Sequence, residues 1–195
     1  MDDSVDQSKR AFLRRATTAV GTLGLVGAAY PFLSSMAPSR AANENAKPVR
    51  VHVNSMKEGE QKTVIWRGKP VWIIRRSADD LAKLSSLDAQ LSDPNSSIPQ
   101  QPSYVDVVTR SIRPELLVLV GVCTHLGCAP TYRPEPGAID KKWPGGFFCS
   151  CHGSKFDLAG RVYKGVPAPT NLEVPPHRYL ADGTLIVGEN PGETV

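Results

Sequence analysis

The sequence predicts a mostly β domain of short strands with one helix, preceded by a single N-terminal transmembrane helix. Three observations carry that prediction. Short Val/Ile-rich runs are punctuated by 16 Gly and 17 Pro in 195 residues, a density that disfavours a long-helix architecture. Apolar residues make up 41% and charged residues 22%, which excludes a disordered chain, since that would lack the apolar surface to offset its ordering entropy. Residues 16–39, 24 in a row, carry no charge, and about 20 helical residues cross a hydrocarbon core roughly 30 Å thick. The net charge of +4 divides as 6 Lys/Arg against 4 Asp/Glu in residues 1–48 and 17 against 15 after them. A balance of +2 over residues 49–195 with no basic cluster among them excludes nucleic acid as a partner.

The elements follow in chain order. Residues 1–15 are polar and hold Lys9, Arg10, Arg14 and Arg15; positive charge places this end in the cytoplasm and residues 16–36 in the membrane as an anchor. Ser8-Lys9-Arg10-Ala11-Phe12-Leu13-Arg14 resembles a twin-arginine export signal with Lys9 in place of the first arginine. That pathway exports proteins already folded around a cofactor. A cleaved signal peptide and a buried soluble helix compete for the same run. The flanking charge disfavours the buried helix, whereas Ser39-Arg40-Ala41-Ala42 is small enough to be cut, so cleavage stays open beside the preferred anchor. Gly21, Gly24 and Ala28 form a small-residue strip that another membrane helix could approach. Asp2, Asp3 and Asp6 argue against a mitochondrial transit peptide.

Residues 37–48 have no apolar periodicity and read as a flexible hinge linker, leaving 49–195 as the soluble domain. Strands are predicted at 49–53, 62–66, 71–75, 105–109, 116–122 and 185–187. One helix is predicted at 78–91, where Leu81, Leu84, Leu87 and Leu91 share a face and Ser77 with Asp80 makes a capping pair. From 123 to 183 the chain reads mostly as loop, a length that is unusual in a compact domain unless it is functional.

All four cysteines lie between 123 and 151, too few for a disulfide scaffold of this size. They fall in two loops, Cys123-Thr-His125-Leu-Gly-Cys128 and Cys149-Ser-Cys151-His152-Gly-Ser154, with 20 residues between Cys128 and Cys149. Two Cys and two His would suit zinc. Six candidate ligands within one exported segment exceed what zinc needs, however, and four ligands plus one disulfide would account for all of them. A 2Fe-2S centre with two His replacing two Cys on one iron takes one Cys and one His from each loop. His52 and His177 lie outside both loops and read as surface or strand residues.

The two loops resemble the cluster-binding signature of Rieske iron–sulfur proteins, and the extra cysteine in each resembles the cytochrome bc1 type. Gly165-Val-Pro167-Ala-Pro169-Thr-Asn171-Leu172 is similar to the proline-rich loop that covers the cluster in that family. The resemblance implies Rieske-type antiparallel sheets with a loop-rich cluster-binding subdomain at about 120–172. It implies one 2Fe-2S cluster held by Cys123, His125, Cys149 and His152, with Cys128 and Cys151 joined in a disulfide. His152 would hydrogen-bond the quinol and take its proton, and Ser154 would donate to a cluster sulfur. The function implied is electron transfer from ubiquinol to cytochrome c1, coupled to proton release, in a dimeric complex of the bacterial inner membrane. Cytochrome b and cytochrome c1 would be the partners, and the soluble domain would lie on the periplasmic side. The small Rieske subunit of a molybdenum oxidase such as arsenite oxidase is an alternative of the same chemistry; a structural zinc-binding module is one of a different class. The chain departs from the pattern at Phe156, where high-potential relatives often carry tyrosine.

Overall fold

A computed structural model describes residues 6–192, apart from the side chain of Asn45. The chain divides into two units, residues 1–43 and 44–195. In the first, α1 (Gln7–Ser35) begins nine residues before the expected anchor, because Asp6 caps it by accepting from the amides of Ser8 and Lys9. The segment holds one helix long and apolar enough to cross a membrane. The expected extended linker is interrupted by α2 (Arg40–Asn45), where the Ser39 hydroxyl accepts from Ala42 N at 3.1 Å. Asp2 and Asp3 lie outside the described residues.

The second unit contains three antiparallel three-stranded sheets. The first has the order β1-β9-β8, from β1 (Val49–His52), β8 (His177–Tyr179) and β9 (Thr184–Val187). The second has the order β2-β3-β4, from β2 (Gln61–Trp66), β3 (Lys69–Arg75) and β4 (Leu116–Val120). The third has the order β5-β6-β7, from β5 (Thr131–Arg133), β6 (Gly146–Cys149) and β7 (Ser154–Phe156). The expected mostly β architecture is therefore present.

Every residue of β4 is buried, and its two-residue period decides which core each one enters. Leu116, Val118 and Val120 pack with Val71 and Ile73 of β3 and with Leu185 and Val187 of β9. Leu117 and Leu119 face the other way, into a core shared with Phe147, Phe156, Cys123 and Cys149. The central sheet thus carries the base core on one face and supports the cysteine loops on the other.

Three expectations need correction. The helix predicted at 78–91 is α-helical only as α3 (Ala78–Leu84) and continues as a 3₁₀ helix, Ser85–Gln90. Its start is as read, with Ser77 and Asp80 forming a reciprocal capping box, and Leu84, Leu87 and Leu91 are buried. Residues 105–109 are not a strand. The Asp106 carboxylate accepts from Val108 N, Thr109 N and Thr109 Oγ1, closing a local turn that competes with any ladder. The stretch 123–183 is less irregular than expected, because β5 to β8 lie within it as strands of three or four residues.

Candidate metal centre

β4 delivers the chain to the first cysteine loop through Gly121. A Cβ there would stand 2.3 Å from the Trp72 indole, so only glycine lets the backbone pass the ring. Trp72 in turn stacks on Phe147 of β6, with ring centroids 5.3 Å apart and planes 9° from parallel. β6 ends at Cys149 and delivers the second loop.

The two loops close in the same way. Gly127 N donates to Cys123 O at 3.0 Å, and Gly153 N donates to Cys149 O at 2.9 Å. Both glycines are left-handed, at φ 82° and 79°, the conformation such a turn needs and a side chain opposes. Each turn therefore starts on a cysteine and carries a histidine, His125 or His152, over its crown. The imidazoles meet edge-to-face, with centroids 4.7 Å apart.

The Cys123 and Cys149 thiols are free and buried, 3% and 2% exposed. They are hydrogen-bond neighbours, and burial followed by that contact pushes the Cys149 thiol above its ordinary pKa. Cys128 and Cys151 are joined in a disulfide that ties one loop to the other. Cys149 Sγ lies within 4.8 Å of both disulfide sulfurs. Those two sulfurs are spent on each other, which leaves Cys123 and Cys149 as the cysteines with a thiol free to bind a metal.

The residues fit a [2Fe-2S] centre with mixed ligands. His125 Nδ1 is buried and has no hydrogen-bond partner among the described residues, as an atom that bonds a metal would be. Two dry thiols and two clustered imidazoles form a soft-plus-borderline donor set. Ser154 is fully buried beside them. Its Oγ accepts from Ala168 N at 3.0 Å, leaving its own proton for another acceptor. Sequence reasoning missed Thr124, whose Oγ1 donates to Thr170 O at 2.8 Å and fastens the first loop to loop 165–172. A threonine between two candidate ligands gives no signal of such a contact.

The remaining histidines sit apart from this site. His52 lies on β1, its Nδ1 3.1 Å from Thr184 Oγ1. His177 is on β8 but is fully buried rather than at the surface, with Nδ1 2.8 Å from Pro175 O.

Comparison with known proteins identifies the family. Residues 47–176 match the family described as the Rieske [2Fe-2S] domain, and residues 1–39 match the TAT signal of the ubiquinol–cytochrome c reductase Fe-S subunit. The chain is 52% identical over 190 residues to the ubiquinol-cytochrome c reductase iron-sulfur subunit of Allochromatium vinosum, covering 96% of this chain and 92% of that one. It is 40% identical over 187 residues to the subunit of the same name from Rhodospirillum rubrum, covering 94% and 93%. The subunit from Blastochloris viridis is 37% identical over 187 residues, covering 95% and 96%. A [2Fe-2S] domain of the Rieske type, an export signal and an apolar N-terminal helix in one chain place it in the family of ubiquinol–cytochrome c reductase iron–sulfur subunits.

Proposed function

We propose that this chain passes electrons from ubiquinol to cytochrome c1 within a dimeric cytochrome bc1 complex, beside cytochrome b, with release of the quinol's protons. The observation that carries this reading is the pairing of two buried thiols with two adjoining imidazoles, braced by the Cys128–Cys151 disulfide. The names of its relatives support the assignment to the complex. Cys123 and Cys149 would hold one iron, and His125 and His152 the other. When bound, a cluster with neutral imidazoles in place of two thiolates accepts one electron at a high potential.

The chain's own residues do the rest. Cys123 and Cys149 sit at the dry end, closed off by Phe147 and Phe156, so water is kept from the sulfurs. His152 is exposed at the tip of its loop, which leaves a ring nitrogen to receive the quinol's hydrogen bond and then its proton. Ser154 would donate its free proton to a cluster sulfur, favouring the more negative, reduced form. Residues 16–36 would anchor the chain in the bacterial inner membrane with residues 1–15 in the cytoplasm. Residues 37–48 would tether a periplasmic domain, 49–195, whose part 120–172 holds the cluster.

Purification from detergent-solubilised membranes tests this. The chain is expected to copurify with b- and c-type haems and to show a reducible cluster spectrum. His152→Ala and Cys149→Ala should abolish that spectrum, whereas Cys128→Ala should retain part of it with a shifted centre. Full retention in His152→Ala contradicts the ligand assignment.

A further inference from the structure

Three arginines of the soluble unit are almost wholly buried, Arg76 at 2% exposure and Arg110 and Arg161 at 0%. Burial of that kind is rare unless the charge is spent on hydrogen bonds. All three engage one segment, 157–161, which leaves β7 directly after the second cysteine loop. Arg161 is paired with its neighbour Asp157, Nε to Oδ2 at 2.8 Å. Arg76 donates to Leu158 O at 3.0 Å. Arg110 donates to the carbonyls of Ala159 and Gly160, both at 3.2 Å.

Arg110 differs from the other two. It also donates to Leu172 O at 2.7 Å, to Gln100 O at 3.3 Å and to Gln101 Oε1 at 2.9 Å. Its backbone is left-handed at φ 51°, which a non-glycine residue holds only where its surroundings over-determine it. Its partners are carbonyl and amide oxygens; Asp157 and Asp93 act on it electrostatically from further away. Gly160 O also accepts from Leu172 N at 2.8 Å, so the guanidinium spans the junction between the segment after β7 and the end of loop 165–172. That loop reaches both cysteine loops, through Ala168 N to Ser154 Oγ and through Thr170 O to Thr124 Oγ1.

We propose that Arg110 is a positioning residue for the cluster site, its planar guanidinium pinning the end of loop 165–172 to the segment that follows β7, so that loop 165–172, which bonds both ligand-bearing loops, holds them in one geometry. The proposal rests on the ligand assignment made above. A lysine would keep the charge, but its three donors sit on one compact nitrogen and lack the planar fork that reaches both segments.

Hydrogen exchange on the full-length, cluster-loaded protein tests it. In Arg110→Lys the amides of Ala168 and Leu172 should exchange at least about tenfold faster while those of the β2-β3-β4 sheet keep their protection. The EPR spectrum of the reduced cluster should broaden as the loops sample more geometries. Where Arg110→Lys does not fold, Gln101→Ala removes one Arg110 partner and should give the same local pattern at smaller amplitude. Protection lost evenly over all three sheets overturns the proposal, and so does parental exchange with a parental EPR spectrum. A parent protein with no cluster signal at all removes the ligand assignment underneath it, which separates the two failures.

Discussion

Phe156 packs at 0% exposure in the core that holds Cys123 and Cys149, directly opposite Phe147 in the β6–β7 register. Its ring fills the place that high-potential relatives often give to tyrosine, but it has no hydrogen to donate. A net hydrogen bond of about 0.5–1.5 kcal/mol to a cluster sulfur corresponds, for one electron at about 59 mV per tenfold, to roughly 20–65 mV. Phe156→Tyr is therefore expected to raise the midpoint potential by tens of millivolts in protein-film voltammetry; an unchanged or lower value contradicts the argument. His177 carries a second expectation. Burial lowers its pKa, only partly opposed by its contact with Pro175 O, and Nε2 has no partner among the described residues to receive a proton's charge. With the folded pKa below the unfolded value of about 6.5, protonation favours unfolding. The contribution of neutral His177 is thus complete above about pH 6.5 and declines as pH falls below it. Urea unfolding should show a smaller loss of stability between pH 7.5 and 5.5 in His177→Gln than in the parent; equal losses would contradict this. The candidate donors stood out in the sequence because Cys and His at fixed short spacings have few other uses. The three buried arginines were not, since an arginine destined for the core is written like any surface arginine.

Legibility among the elements followed the strength of the local pattern. The central strands were readable from β-branched runs, and β4, buried on both faces, reads as the continuous apolar run such a strand requires. β5 to β7 were not, because strands of three or four residues between Gly and Pro carry too few residues to show a period. At 105–109 the apolar pattern was overridden by one carboxylate that closes its own turn. The capping box at Ser77 was visible from residue types alone, and it gives a direct expectation. Ser77→Ala leaves the Asp80 amide without its side-chain acceptor and should cost about 1 kcal/mol in chemical denaturation; no loss would mean that packing of Leu84 and Leu87 holds α3 unaided. The linker is the second case. α2 makes part of it a short helix rather than extended chain, a form Ser39 favours by capping it. Prolines placed at residues 41–46 should slow quinol-to-cytochrome turnover while leaving the cluster spectrum as it was. Unaltered turnover would argue against a tether that has to reorient.

Across the molecule, the soluble unit stacks a base core, a central sheet and a second core in which the cysteine loops are embedded. The period-two alternation of β4 links those cores, so the rigid part of the protein reaches to within three residues of Cys123. Where the candidate donors converge the backbone is irregular, and there it is held by the disulfide, the two left-handed glycine turns and the contacts of the buried arginines behind them. That division explains why the fold class was readable from composition while the internal bracing of the site was not: the bracing consists of contacts between residues far apart in sequence. The account depends most on two cysteines and two histidines sharing one cluster. Pulsed EPR of the reduced, purified protein grown with ¹⁵N-labelled histidine measures this directly. Two distinct histidine nitrogen couplings to the cluster are expected; a spectrum with none, or with only one, would contradict the ligand set.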